Sequence, residues 1–198
     1  MNKMRDLETI VREIDARQQI HDCIMRFCRG MDHADPDLGL TAYHPGATDD
    51  HGTYSGPAEG FVAVSMEVVK EMEILRHIIC NEYVEFDEAN PSIAWSETVT
   101  LGSVLKCEAD GYRVSLVSCR YIDRFEERDG HWRIVQRQLV RDWEADVPAY
   151  GPEGTPTTNG MLRGCLNMSD PSYGLGFKLW GDAVRPPVSD ARIGDGKA

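Results

Sequence analysis

The sequence predicts an α+β fold, in which helices come first and an antiparallel sheet follows them. Before residue 73, apolar residues recur mainly at helical spacing. After it come four runs rich in β-branched and aromatic residues, at 76–87, 92–108, 112–127 and 131–144. The steps Asp110-Gly111 and Asp129-Gly130 between these runs suit tight hairpins. We therefore expect helices packed on one face of a curved, mostly antiparallel sheet.

The chain divides by composition into a domain at residues 1–150 and an irregular arm at 151–198. The arm holds nine of the 18 glycines and five of the ten prolines, and we expect disorder beyond Arg185. It is still too apolar for a solvated tail. We expect it to act as a lid over a pocket or as a subunit contact. Its apolar residues are Met161, Leu162, Leu166, Tyr173, Leu175, Phe177 and Trp180.

Composition excludes several classes of function. The net charge of −12 disfavours nucleic acid and anionic membranes as partners. The N-terminal stretch resembles neither a signal peptide nor a membrane span, and six scattered cysteines without a CxxC pair indicate reduced thiols in a cytoplasm. HExxH, GxGxxG, P-loop and GxSxG motifs are all missing. We expect acid–base chemistry that uses no cofactor and no metal.

Asp32 is the first candidate for that chemistry. Residues at helical spacing before it form an apolar stripe, and Asp32 falls about 40° beyond Cys28, on the edge of that stripe. A carboxylate at the border of a core takes its properties from the partner that the fold supplies. Capping a helix is the structural alternative, although Asp35-Pro36 is a better start signal for the next helix.

The other helices follow from short signals. Residues Leu7 to Ile14 predict a short amphipathic helix, and Asp15 either interrupts it or caps the longer helix that follows. Asp35-Pro36 starts a brief helix that continues towards Tyr43, and Pro57 opens a third.

Alternation along the strands selects further candidates. In the first long strand His77, Ile79 and Asn81 share a face. In the last, one face carries His131, Arg133, Val135, Arg137, Leu139, Arg141 and Trp143. The arginines on it lie on a solvated face, or else they face inward and need a protein carboxylate or a substrate oxyanion.

Two histidines are candidate bases. His77 opens a strand, and an imidazole held by a buried carboxylate is an effective general base near neutral pH. A purely structural histidine is the alternative. His51, with Asp49 two residues before it, is the weaker candidate, and the remaining histidines considered, His21, His33 and His131, are expected at the surface.

Three segments, at residues 27–56, 76–87 and 118–144, together resemble the SnoaL-like branch of the nuclear transport factor 2 superfamily. The resemblance implies a cone-shaped α+β barrel around a deep pocket, over about residues 5–145. It is greatest to scytalone dehydratase, the bile-acid dehydratase and the lindane dehydrochlorinase. Those enzymes pair an aspartate at the end of the long helix with a histidine that opens the first long strand, and these positions match Asp32 and His77.

The resemblance also implies a substrate pocket. Positions that hold two tyrosines around a water in scytalone dehydratase match Met31 and His51, and a tyrosine of the bile-acid enzyme matches Phe27. Arginines of the last strand match Arg137 and Arg141. The expected substrate-binding residues are Arg137, Arg141, His51, Tyr121, Phe27, Met31, Asp49, Met72, Leu75 and Cys119.

The function expected on these grounds is a cofactor-independent lyase that acts on a small hydroxylated aromatic or polycyclic molecule. Alternatives are a formaldehyde-releasing C–C lyase on lignin-derived aromatics, and an isomerase or polyketide cyclase. A non-catalytic small-molecule carrier or a dioxygenase small-subunit-like protein is the alternative of a different class. Relatives are commonly homo-oligomers, so a homo-oligomer, with a trimer favoured, is expected.

Overall fold

A long N-terminal helix packs with two shorter helices against one curved sheet. The structure is a computed structural model that describes residues 6–151, 154–158 and 160–175. In chain order the elements are α1 (Leu7–Asp32), α2 (Pro36–Leu40), β1 (Tyr43–Asp50), β2 (Ser55–Pro57), α3 (Ala58–Val69), β3 (Ile74–Phe86), β4 (Ile93–Glu108), β5 (Gly111–Arg128), β6 (His131–Ala149) and a short 3₁₀-helix (Pro171–Leu175). None of the described helices has the length and apolarity that a membrane crossing requires.

The six strands form one sheet in the order β2-β1-β6-β5-β4-β3. The neighbouring pairs run antiparallel except β1 and β6, which run parallel. At the hairpin between β5 and β6, Asp129 and Gly130 both have positive φ, at 53° and 77°, as a tight turn of this type requires. The two edge strands, β2 and β3, do not pair with each other within the described residues. The α+β fold is confirmed, with a curved sheet that stays open instead of closing into a barrel.

The prediction of two helices before Asp32 is wrong, because α1 is continuous. Its N-cap is Asp6, which accepts a hydrogen bond from the Thr9 amide. Asp15 does not interrupt the helix, since its carboxylate accepts from Gln19, one turn later, at 2.8 Å. The brief helix after Asp35 ends at Leu40, so Tyr43 begins β1 instead of closing that helix.

The core lies between α1 and the inner face of the sheet. Side chains of α1 at helical spacing face β5 and β6. A T-shaped contact at 5.8 Å joins Phe27 of α1 to Tyr121 of β5. The fully buried members of this layer include Ile20, Ile24, Phe27, Tyr121, Phe125 and Ile134.

β-Bulges shift which residues face inward. In β6, Phe125 pairs with Ile134 but Arg124 pairs with Gln136, so Val135 is an extra residue. Trp132 and Ile134 are therefore buried before the bulge, whereas Arg137 is buried after it. The prediction that His131, Arg133, Val135 and Trp143 share the face of Arg137 is therefore wrong. A second bulge, at Asp142, moves Trp143 to the opposite face, because Cys119 pairs with Arg141 but Ser118 pairs with Trp143. The prediction that Asn81 shares the face of His77 is wrong as well, because a bulge in β3 between Ile79 and Glu82 displaces it.

Candidate active site

Asp32 and His77 meet where the end of α1 crosses the beginning of β3. The Nδ1 atom of His77 lies 2.6 Å from Oδ1 of Asp32, and the backbone amide of His77 donates to both carboxylate oxygens at 3.1 Å. A carboxylate accepts hydrogen bonds, so Nδ1 carries the proton and Nε2 is left as the basic nitrogen. The side chains of His77 and Asp32 are 14% and 11% exposed, so both are largely removed from water.

Two glycines allow Asp32 to reach this position. Gly30 of α1 packs so closely on α2 that a Cβ built there would lie 2.4 Å from the backbone nitrogen of Gly39. The chain reverses direction between the two helices through Ala34, whose φ is 49°, and the Asp35 amide donates to the Gly30 carbonyl at 2.8 Å. The tight crossing holds the last turn of α1 against α2 and fixes where Asp32 points.

An aromatic cluster borders the histidine. We use this name for Phe27, Phe61 and Tyr121, of which Phe27 contacts the other two. The His77 ring meets Phe27 at 6.4 Å between ring centres. An imidazole beside apolar rings and a carboxylate can remove a proton from a bound molecule.

Arg137 lies beneath this cluster and is already paired. Its Nε and Nη2 donate to the two oxygens of Asp123 at 2.7 and 2.6 Å, and both side chains are fully buried. The guanidinium lies over the faces of Phe27 and Tyr121, whose rings are perpendicular to each other, at 4.3 and 4.0 Å from their ring centres. Burial alone lowers the pKa of Arg137, but the Asp123 carboxylate outweighs it and holds that pKa well above its ordinary value. Only Nη1 has no hydrogen-bond partner within the described residues.

A second histidine–carboxylate pair borders the same cluster. His51 Nδ1 donates to Oδ1 of Asp49, and Oδ2 of Asp49 accepts from the Tyr43 hydroxyl at 2.5 Å. The His51 ring stacks on Phe61, with 3.8 Å between ring centres and 16° between planes.

The other residues expected in the pocket are more dispersed. Arg141 is in register with Cys119, but it is 59% exposed and pairs with Glu144 at 2.7 Å. Met72 borders a surface hollow of about 410 Å³ between α3 and β4, together with Lys106. The remaining three expected residues, Met31, Leu75 and Cys119, are buried near the site. Burial raises the pKa of the Cys119 thiol to about 11.

The match that decides the family is a model of the SnoaL-like domain, which covers residues 12–138. The chain belongs to the SnoaL-like family. A search of curated proteins finds no match to this SnoaL-like protein.

Three solved structures show the same fold. A hexachlorocyclohexane dehydrochlorinase of type 2 is 16% identical with a TM-score of 0.64, over 73% of this chain and 99% of the other. A candidate scytalone dehydratase from Novosphingobium aromaticivorans is 15% identical with a TM-score of 0.61, over 74% and 98%. A protein of unknown function from Mycobacterium tuberculosis is 20% identical with a TM-score of 0.53, over 63% and 75%. At these identities the likeness establishes the fold alone.

The C-terminal arm of this SnoaL-like protein contacts the end of α1. Arg76 donates to the Asp32 carbonyl at 2.9 Å and lies 3.7 Å from Asp170, while Arg29 donates to Ser172. Burial acts to raise the pKa of Asp170, but hydrogen bonds from Ser172 and the Cys165 amide lower it to about 2. Met161 and Leu162 remain exposed, and residues 176–198, which include Phe177, Trp180 and the expected disorder, lie outside the described residues.

Sequence reasoning missed several residues of the site. Asp123 shares the strand face of Tyr121, and that alternation is the signal that could have found it. The sequence predicts Tyr43 in a helix, and nothing in its local sequence marks it as a partner of Asp49. His33 was expected at the surface but is buried, with its ring edge-on to Tyr173 of the arm at 5.5 Å.

No metal site accompanies these groups in the part of the chain that the structure describes. Within residues 6–151, 154–158 and 160–175, no three His, Cys, Asp or Glu side chains are placed to hold an ion.

Proposed function

We propose that this protein is a cofactor-independent lyase that eliminates a group from a small hydroxylated aromatic or polycyclic molecule. The observation that carries the proposal is the 2.6 Å contact between His77 Nδ1 and Asp32, in a ring that packs edge-on against Phe27. Membership of the SnoaL-like family and structural likeness to a dehydrochlorinase and a candidate dehydratase support it.

In the proposed step, Nε2 of His77 takes a proton from carbon. The C–H electrons form the new double bond, and the bond to the leaving group breaks. A leaving hydroxyl group needs a proton to depart as water. In the simplest form of the step, His77 returns to it the proton that it has just taken from carbon. Asp32 fixes the tautomer of the ring and stabilises the imidazolium that forms.

An anion on the substrate would be bound by Arg141 more readily than by Arg137. The charge of Arg137 is neutralised by Asp123 in a two-point contact. The partner of Arg141, Glu144, is as exposed as Arg141 itself, and such surface pairs are weak and easily exchanged.

The base can be tested without knowing the substrate. A nitrobenzisoxazole reports proton abstraction from carbon: the base removes the ring C–H proton, the N–O bond breaks, and a nitrile and a phenolate form. Because general base catalysis contributes about 10²–10⁴-fold, we expect His77→Ala to lower kcat/KM for this probe at least about 10²-fold. Asp32→Asn should lower it about tenfold or more, because the tautomer is no longer fixed.

The matched control is His21→Ala. His21 also hydrogen-bonds a carboxylate, that of Glu82 in β3 at 2.8 Å, but its side chain is about half-exposed. This variant should keep the wild-type rate. A wild-type rate no greater than that of buffer, or equal rates in wild type and His77→Ala, would overturn the proposal. Once a substrate is found, release of water or of formaldehyde separates dehydration from C–C cleavage.

A further inference from the structure

The Tyr43–Asp49–His51 chain is built as a fixed hydrogen-bonded unit. Asp49 is fully buried and bonds on one oxygen to His51 and on the other to Tyr43. Burial raises the pKa of Tyr43 well above its ordinary value, so its hydroxyl keeps the proton and serves as a donor. Asp49 therefore accepts on both sides, and the Nδ1 proton of His51 is directed at it.

The backbone places the Tyr43–Asp49–His51 unit beside the aromatic cluster. In the parallel pairing of β1 and β6, Asp49 lies opposite Arg137, and a turn through Gly52, with φ of 77°, follows His51. The ring of His51 is stacked on Phe61 and lies 6.0 Å from Tyr121. His77 meets the same cluster through Phe27. Two imidazoles, each held at Nδ1 by a carboxylate, thus border one set of rings.

The Nε2 atom of His51 is the part left for a ligand. Within the described residues it makes no hydrogen bond, and it is not among the buried polar atoms that lack one. The side chain is 14% exposed, the same as that of His77. Tyr121 is a poorer proton source, because it is almost fully buried and burial raises its pKa well above the ordinary value.

Hydrogen bonding holds the buried carboxylates around His51. Asp123 is bonded to the buried guanidinium of Arg137, and Asp49 accepts from His51 and from Tyr43. A buried carboxylate without such partners would be costly. A carboxylate at Nδ1 stabilises the charged form of an imidazole, and that form can donate a proton from Nε2.

We propose that His51, held by Asp49 and Tyr43, is the general acid that protonates the leaving group while His77 takes the proton from carbon. This rests on the proposed function. The C–H bond breaks to His77 Nε2, its electrons form the double bond, the C–O bond breaks, and the oxygen takes the proton of His51 Nε2. His77 ends protonated and His51 neutral, and exchange of one proton with solvent restores both. The substrate class that needs such an acid carries a hydroxyl or alkoxyl leaving group, since a halide leaves without a proton.

The test compares two probes of the same shape. Nitrobenzisoxazole releases a stabilised phenolate that needs little protonation, whereas unsubstituted benzisoxazole releases a far more basic one. We expect His51→Phe, which keeps the stacking on Phe61, to lower kcat/KM about 10²-fold for the unsubstituted probe and less than about tenfold for the nitro probe. His77→Ala should lower both to a similar extent.

The outcomes separate the two proposals. Equal losses for both probes in His51→Phe, or no loss for either, overturn the acid assignment while the His77 result leaves the lyase standing. A wild-type protein without activity overturns the lyase itself. If His51→Phe does not fold because Asp49 loses its partner, the triple variant His51→Phe/Asp49→Leu/Tyr43→Phe removes all three polar groups of the unit, and the same selectivity between probes is expected.

Discussion

Arg137 shows how a single residue can serve the architecture and the site together. Its guanidinium packs on the faces of Phe27 and Tyr121 and neutralises Asp123, and all four side chains are buried. Breaking a buried pair leaves an uncompensated charge, whereas replacing both partners by apolar residues does not. The stability of the core beneath the two histidines therefore depends on the pair as a unit.

For this pair we expect Arg137→Met and Asp123→Leu each to lower the free energy of unfolding by about 3–5 kcal/mol. The double variant should lose less than the sum of the two, and urea denaturation measures all three. As a control on an exposed pair, Arg12→Met, which removes the partner of Glu8, should change stability by less than about 0.5 kcal/mol. Additive losses in the double variant would show that the two side chains do not depend on each other.

At the scale of elements, the packing of α1 on α2 positions Asp32. A Cβ at Gly30 would meet backbone atoms of Gly39 at 2.4 and 2.6 Å and the Asp35 carbonyl at 2.9 Å. Backbone cannot swing aside as a side chain can. A Cβ at Gly39 would meet only the Met31 sulfur, at an ordinary 3.8 Å.

These two glycines give a matched pair of variants. Gly39→Ala should leave stability unchanged or raise it by up to about 1 kcal/mol, because alanine is the better helix former. Gly30→Ala should lower it by about 1–3 kcal/mol through overpacking, and should also slow the nitrobenzisoxazole reaction by displacing Asp32. Thermal unfolding of both variants checks this, and a Gly30→Ala protein as stable as wild type would contradict the packing argument.

The order and type of most elements could be predicted from local pattern, because helical spacing and Asp-Gly turns act over a few residues. The inward faces could be predicted only up to the first bulge. The extra residue at Val135 depends on pairing with β5, which a single strand's sequence does not reveal. The pairing of Asp32 with His77 could be predicted only from the family resemblance, because two residues 45 positions apart are brought together by the fold and not by local sequence. Asp123 is predictable from the sequence in principle, because the alternation of residues along β5 places it on the same face as Tyr121.

At the scale of the whole molecule, the outer face of the sheet carries a row of three apolar residues and one serine. Successive strands pair Ile78 with Leu101, Leu101 with Ser118 and Ser118 with Trp143. Ile78 and Trp143, at the two ends of the row, are 50% and 51% exposed. Large apolar side chains exposed on one sheet face are typical of a contact with another protein surface.

We expect this row to contribute to a homo-oligomer, with a trimer favoured. Trp143→Glu places a charge in the row and should shift the protein to monomers, as measured by light scattering coupled to size-exclusion chromatography. Leu162→Glu, at an exposed residue of the arm, tests the other candidate contact. If the row is the contact, this variant keeps the wild-type mass, whereas loss of mass in Leu162→Glu and not in Trp143→Glu would assign the contact to the arm. A wild-type mass equal to that of one chain would refute the expectation.

The anchoring of Asp32 has an evolutionary consequence. Its two oxygens are both held by the main-chain amide of residue 77, which every amino acid except proline supplies. A lineage could therefore exchange the imidazole for another side chain and keep the carboxylate oriented, so that the scaffold survives while the chemistry is lost or redirected. Such a scaffold can change between catalyst and carrier by one substitution, in keeping with the general rule that a fold does not dictate a function.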